Sequence, residues 1–204
     1  MAGAWPLVPR PLTPQTHCRM STLTAALPCP SVVTPELRAQ YERDGYLALS
    51  GLLDPTELQA ARDDLRRLIW EHREGDSYSR QVEPGVDITG LDPAALELKV
   101  RKIMTFDKAS PYMEHLCYRQ GRLHGLLTGL LGPGYHLFQS MALIKPPKIG
   151  SEKPWHQDTA YFRATPMREV IGVWIALDEA LPENGCMHVL PGWHQRGPLA
   201  HIHG

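Results

Sequence analysis

Apolar and polar positions alternate with two different periods along this chain. The change between them falls near residue 134. Up to that point the pattern is helical. Thr34 can cap a helix with Pro35 in its first turn, and Gly45 stops it. Residues 46–53 then read as a strand. Asp54, Pro55 and Glu57 repeat the start signal, with Glu57 placed for a capping box. The helix that follows aligns Leu58, Ala61, Leu65, Leu68 and Ile69 on one face and leaves the other face charged. Residues 73–95, rich in Gly, Pro and Asp, read as a loop, and the periodicity of 98–106 does not choose between strand and helix end. Ser110 and Pro111 open a third helix carrying Met113, Leu116, Leu123, Leu127 and Leu130. Gly121, Gly125 and Gly129 weaken it, and Gly132-Pro133-Gly134 ends it. After that the period becomes that of strands: 135–144, 154–162, 170–177 and 186–190, with Asn184-Gly185 in a turn. The run 170–177 is apolar on both faces and is expected to be buried on both. Helices followed by antiparallel strands predict an α+β protein in which an all-β barrel or sandwich carries the site.

Composition changes the picture mainly at the amino end. Residues 1–33 hold Pro6, Pro9, Pro11, Pro14, Pro28 and Pro30, two arginines and no acid, and are expected to be a disordered tail, with Met20 an alternative start. Residues 34–204 are expected to form one domain. Arg10 and Arg19 without acid faintly resemble a mitochondrial transit peptide, but the prolines oppose its amphipathic helix. Arg10 to His17 has the rough spacing of a peroxisomal amino-terminal signal, which Pro11 and Cys18 do not fit. The net charge of −1 and the lack of a basic run argue against a nucleic-acid partner. No apolar stretch has transmembrane length. Cys18, Cys29, Cys117 and Cys186 form no C-x-x-C pair and read as reduced thiols of an intracellular, cytoplasmic protein.

The candidate chemistry lies in His156-Gln157-Asp158. On an extended strand, residues i and i+2 point to the same side. His156 and Asp158 would therefore present an imidazole nitrogen and a carboxylate to one point while Gln157 faces away. These are two thirds of the 2-His-1-carboxylate triad that holds non-heme Fe(II). A bare H-x-D also arises by chance on ordinary strands. His72, His115, His124, His136 and His188 read as structural.

The chain resembles the phytanoyl-CoA dioxygenase family of Fe(II)- and 2-oxoglutarate-dependent oxygenases. The matching strings are Asp44-Gly45-Tyr46-Leu47, Leu143-Ile144-Lys145-Pro146-Pro147, Trp155-His156-Gln157-Asp158, Gly172-Val173-Trp174-Ile175-Ala176-Leu177-Asp178, Asn184-Gly185-Cys186-Met187 and Leu190-Pro191-Gly192-Trp193-His194. The resemblance covers residues 34–204 and implies a double-stranded β-helix, or jelly roll, behind amino-terminal helices. It implies His156 and Asp158 as metal ligands, with Lys102, Met141 and Trp174 around 2-oxoglutarate. Lys102 has the clearest physical role, since an ammonium pairs with an oxoacid carboxylate; Met141 and Trp174 serve equally well as core residues. Gln139 shares the face of Met141. The implied cofactors are Fe(II) and 2-oxoglutarate, with ascorbate a candidate auxiliary reductant. The implied partner is a small or lipid-like substrate. Lys145, Lys148 and Lys153 would suit an anionic one such as an acyl-CoA. Asp158 fills the position that halogenating relatives leave to chloride, so hydroxylation is expected.

Two departures stand out. Trp193 occupies a place where relatives carry a small hydroxyl residue. The family's second metal His, and the Arg that clamps the far carboxylate of 2-oxoglutarate, have no counterpart before Gly204. His194, His201 and His203 are the late candidates for a third ligand. The barrel is therefore expected to be incomplete at its carboxy end. Two readings stay open: an oxygenase in its complete form, or a catalytically inactive jelly-roll fragment with a binding role.

Overall fold

Local capping chemistry sets the helical layer. The computed structural model describes residues 25–150, 153–158 and 170–199. Helix α1 (Pro35–Asp44) begins where Thr34 accepts a hydrogen bond from the Leu37 amide and ends at Gly45, whose φ of 80° is left-handed. Helix α2 (Pro55–Glu71) begins in a full capping box: Asp54 Oδ1 accepts from Glu57 N, and Glu57 Oε2 accepts from Asp54 N, both at 2.8 Å. Short α3 (Pro93–Glu97) is capped by Asp92, and α4 (Pro111–Tyr118) by Ser110.

The single helix expected from residue 110 is two. It breaks at Arg119, and α5 (Gly121–Leu131) starts afresh under the Gln120 side chain. Gln120 is buried at 4% exposure. Its oxygen accepts from Leu123 N, and its amide donates to Leu52 O and Glu57 Oε1. The glycines that looked like weak points in this helix have a packing role. A Cβ on Gly125 would stand 2.3 Å from Ser31 O, and one on Gly129 would stand 2.5 Å from Val33 Cγ2. Residues 31–33 lie in the resulting groove. Upstream, β1 (Leu27–Pro28) pairs in parallel with β2 (Leu49–Ser50). The boundary expected at residue 34 therefore falls inside the ordered structure. The strand expected over 46–53 is reduced to the two residues of β2.

Three strands form an antiparallel sheet in the order β3-β4-β5, where β3 is Ser79–Val82, β4 is Val100–Met104 and β5 is Met141–Leu143. β3 and α3 both lie within the expected 73–95 loop or at its edge. Lys102 stands opposite Gln81 and Leu143, and Met104 opposite Ser79 and Met141. Between these and the Val82–Val100 pair the register shifts by one residue, which leaves Arg101 as the extra residue of a bulge. The shift explains why Val100 and Ile103, three apart, are both fully buried. With Leu68, Ile69, Leu96, Met113 and Leu116 they form the core between the sheet and the helices.

The remaining strand expectations are corrected. Of 135–144, only Met141–Leu143 joins the sheet. Residues 154–158, 170–177 and 186–190 have no strand assignment, and 159–162 lie outside the described residues. Among the described residues these segments gain no ladder partner, so alternation alone does not make them strands. The apolar run at 170–177, expected to be buried on both faces, leaves Val173 and Trp174 about half exposed; only its Ile175 packs on the core. No barrel closes among the described residues.

Candidate active site

His156 and Asp158 converge without a strand to align them. The chain bends at Trp155, and His156 Nε2 lies 3.5 Å from Asp158 Oδ1. The other ring nitrogen, Nδ1, is 2.8 Å from the Pro154 carbonyl. A carbonyl only accepts, so Nδ1 carries a proton, and Nε2 is the ring nitrogen turned toward Asp158. Gln157 is held on a different segment, 197–199. Its amide donates to Gly197 O at 3.1 Å, and its oxygen accepts from Leu199 N at 2.8 Å. The pair is flanked by Gly172, where a Cβ would be 3.6 Å from Asp158 Oδ2. Trp174, half exposed, lies two residues further along this segment.

The donor set can be tested against a divalent cation. Metal–nitrogen and metal–oxygen distances of about 2.0–2.2 Å put two adjacent ligands roughly 2.9–3.5 Å apart. The observed 3.5 Å lies at the upper end of that range. The Nδ1–carbonyl bond is also the usual outer partner of a metal-bound His. Imidazole and carboxylate therefore fit an iron-type cation as two ligands. Among the described residues no group of three or more His, Cys, Asp or Glu side chains is gathered for a metal.

His194 stands elsewhere. Its Nε2 donates to Glu42 O at 3.0 Å, and its ring lies against Gly45. Gln195 Nε2 donates to Glu42 O and Arg43 O, and Gly192 N donates to Asp44 O. The Pro-Gly-Trp-His turn is thus a cap on the last carbonyls of α1. His201 and His203 lie outside the described residues.

Lys102 and Met141 share one face of the sheet, opposite the face that carries Ile103 into the core. Met104 and Leu143 lie on the same face, and Gln139 Nε2 contacts Met104 Sδ at 3.9 Å. Met141 and Leu143 are 40% and 52% exposed, so this is an open apolar surface with one ammonium in it, not core. Lys102 also lines a cavity of about 70 Å³ together with Arg101, Lys145 and Lys153. Lys153 is three residues before His156, which connects the sheet face to the His-Gln-Asp segment. The sequence offered Lys102, Lys145 and Lys153 separately; their grouping with Arg101 comes from the bulge in β4 and the turn after β5.

A second constellation flanks the pair. Trp155 meets the His188 ring edge to face at 6.3 Å, and His188 Nε2 is 3.8 Å from Cys186 Sγ. Beneath the sheet, Asp107 accepts from Ser140 Oγ at 2.5 Å and from Tyr118 OH at 2.6 Å. Burial pushes the Asp107 carboxyl upward, but these bonds outweigh it and hold the group below its usual value. The same bond pushes the Tyr118 phenol up to about 12.

The phytanoyl-CoA dioxygenase (PhyH) family model matches residues 41–203. Peroxisomal phytanoyl-CoA dioxygenase of Bos taurus is 28% identical over 172 residues, covering 83% of this chain and 50% of the relative. Phytanoyl-CoA dioxygenase domain-containing protein 1 of Danio rerio is 29% identical over 205 residues, covering 81% and 67%. The human peroxisomal phytanoyl-CoA dioxygenase is 26% identical over 168 residues, covering 81% and 48%. The chain thus spans between about half and two thirds of these relatives. No solved structure matches. With a family model matched across most of its length, the chain belongs to the phytanoyl-CoA dioxygenase family.

Proposed function

We propose that this chain carries the metal and co-substrate half of an Fe(II)- and 2-oxoglutarate-dependent dioxygenase that hydroxylates a small or lipid-like substrate. In this reading the fold of the whole is a double-stranded β-helix, and the sheet face bearing Lys102 and Met141 looks into it. The observation that carries the reading is the His156–Asp158 pair, 3.5 Å apart, with Nδ1 held on the Pro154 carbonyl.

Bound iron would supply dioxygen activation coupled to decarboxylation of the oxoacid. The chain's own groups bind and orient. His156 Nε2 and Asp158 Oδ1 would hold the cation, and the Nδ1–H bond to the Pro154 carbonyl would orient the ring for it. The two bonds of Gln157 fix the segment between them. Lys102 would pair with the far carboxylate of 2-oxoglutarate. Met141 would support its carbon chain, and Trp174 would cover the site from the Asp158 side. Because a carboxylate occupies the Asp158 position, the site suits hydroxyl transfer over halide transfer.

The test is metal binding followed by turnover. Mn²⁺ titration of the purified chain should show one site that His156→Ala and Asp158→Ala each weaken by well over the 10–100-fold typical of outer-sphere losses. Unchanged Mn²⁺ affinity in both variants refutes the metal assignment. Succinate formation with Fe(II), ascorbate, O₂ and 2-oxoglutarate then separates an oxygenase from a binding fragment, which would hold the metal and form no succinate.

A further inference from the structure

The thiol and imidazole next to Trp155 take no part in the reaction proposed above. Cys186 Sγ and His188 Nε2 lie 3.8 Å apart. Among the described residues neither side chain has another hydrogen bond or an ion pair. Cys186 is half-buried and His188 is exposed, so an ion from solvent can reach both. Among the described residues no third His, Cys, Asp or Glu completes the group, so the pair does not merge with His156 and Asp158.

The fold sets this pair in place. Cys186 follows the short turn Pro182–Asn184, which Asn184 locks from within. Its Oδ1 accepts from Leu181 N at 2.9 Å, and its Nδ2 donates to Glu179 O at 2.6 Å. Gly185 N donates to Pro182 O at 3.2 Å, and Cys186 N to Leu181 O at 3.0 Å. Lys145 Nζ donates to Gly185 O from outside the turn. Cys186 is thus tied through its own amide and through the residue before it. Two residues on, the His188 ring rests against Trp155, edge to face at 6.3 Å. Donors held this way lose little freedom when an ion binds, which favours binding.

We infer that Cys186 and His188 form a site for a thiophilic divalent cation of the Zn²⁺ type, separate from the His156–Asp158 pair. Bonds of about 2.3 Å to sulfur and about 2.0–2.1 Å to nitrogen, spanning the observed 3.8 Å, meet at an angle of about 120° at the ion, between tetrahedral and trigonal. The donors also set the selectivity. Thiolate with imidazole suits Zn²⁺ and its soft relatives, whereas imidazole with carboxylate also takes harder ions such as Mn²⁺. On binding, the thiol proton leaves to solvent and the sulfur ligates as thiolate. Nε2 gives its lone pair while Nδ1 carries the ring proton, and water fills the remaining positions. The inference stands apart from the dioxygenase reading, because neither residue serves in it.

Cd²⁺ is the probe, because its bond to a thiolate gives an ultraviolet charge-transfer band that Mn²⁺ does not give. The full chain is held in excess Mn²⁺ to fill the His156–Asp158 pair and then titrated with Cd²⁺. The parent should develop the band with one Cd²⁺ bound through sulfur, and Zn²⁺ should remove it and slow maleimide labelling of Cys186. Cys186→Ser should abolish the band. His188→Gln should weaken Cd²⁺ at least 10-fold, since losing a direct ligand costs no less than losing an outer partner. His156→Ala and Asp158→Ala should leave the band and its affinity unchanged. His188→Gln, at an exposed position, keeps the test valid if Cys186→Ser unfolds. No band in the parent, a band that persists in Cys186→Ser, or a band that Zn²⁺ does not remove overturns the inference. Equal Cd²⁺ affinity in His188→Gln and the parent shows a lone thiol and also overturns it. Loss of the band in His156→Ala would make the two sites one and overturn their separation, whereas loss of Mn²⁺ binding alone in that variant bears only on the His156–Asp158 pair.

Discussion

Replacing Gly45 with alanine tests whether His194 is a helix cap or a ligand. Gly45 has φ of 80°, where an L side chain costs about 1–2 kcal/mol. The new Cβ would also stand 2.2 Å from His194 Nδ1 and 2.7 Å from Cγ. The ring must leave, and its Nε2 bond to Glu42 O at 3.0 Å goes with it, a further ~0.5–1.5 kcal/mol. Gly45→Ala should therefore destabilise by about 2–3 kcal/mol, or roughly 5–10 °C in Tm for a chain of this size. His194→Ala alone should cost about 1 kcal/mol. In the double variant the clash is absent, so Gly45→Ala should then cost only its backbone part. The expected coupling is about 1 kcal/mol, readable by urea unfolding of all four proteins. An equal cost of Gly45→Ala in both backgrounds would refute the packing argument. His194→Ala should leave Mn²⁺ affinity unchanged, and a loss beyond 10-fold would return His194 to the metal site.

Three further outcomes follow from particular contacts. Gly129→Ala gains about 1 kcal/mol of helix propensity but drives a methyl to 2.5 Å from Val33 Cγ2, so residues 27–33 should become protease-sensitive while α5 persists; a protected segment contradicts the groove. Burial and the nearby Asp107 charge push the Cys117 thiol up to about 11, leaving roughly one thiolate in a thousand at pH 8. Maleimide should therefore label Cys186, beside His188, well before Cys117, and peptide mapping showing equal rates would count against it. The folded-state Asp107 carboxyl lies below its unfolded value, so its contribution is present above about pH 4 and lost as pH falls through the folded value. Asp107→Asn should flatten the acid limb of the Tm–pH curve and return Tyr118 titration from about 12 toward 10, measured at 295 nm.

What was legible in the sequence was local. Thr34, Asp54 and Ser110, each followed by proline, announce helix starts because a cap needs only residues three apart. The break at Arg119 was not legible, since Gln120 acts through bonds to Leu52 and Glu57, more than sixty residues away. The indecision over 98–106 has a physical cause too. The bulge at Arg101 puts Val100 and Ile103 on one face at a spacing of three, which belongs to neither a clean strand nor a long helix. The His-Gln-Asp spacing pointed to convergence, and the side chains do converge, but through a bend and not a strand. Trp174 came from the resemblance, with a core role in its apolar run as the alternative; burial there depends on facing structure, and the residue stays half exposed. Lys145 and Lys153 were read from the sequence as loop lysines suited to an anion, but their place beside Arg101 and Lys102 was not legible, because lysines in a loop carry no period.

The site segments are placed by side chains that seize backbone, and this determines which contacts matter. Arg62 on α2 donates from Nε to Leu177 O at 2.7 Å and lies 3.2 Å from Asp178. Asp178 is 88% exposed, so that ion pair is worth little in water. The bond to the carbonyl, with Ile175 packed on the core, is what anchors the strip that brings Gly172 to Asp158. Gln157 does the same for 197–199, and His194 and Gln195 for the end of α1. Each link satisfies a carbonyl or amide that has no ladder partner, which a salt bridge would not do. Among the described residues, Arg101, Lys102, Lys145 and Lys153 gather their charge at one small cavity with Glu83. Even there the same habit holds: Lys145 Nζ donates to Gly185 O, so a charged side chain too places backbone that has no ladder partner.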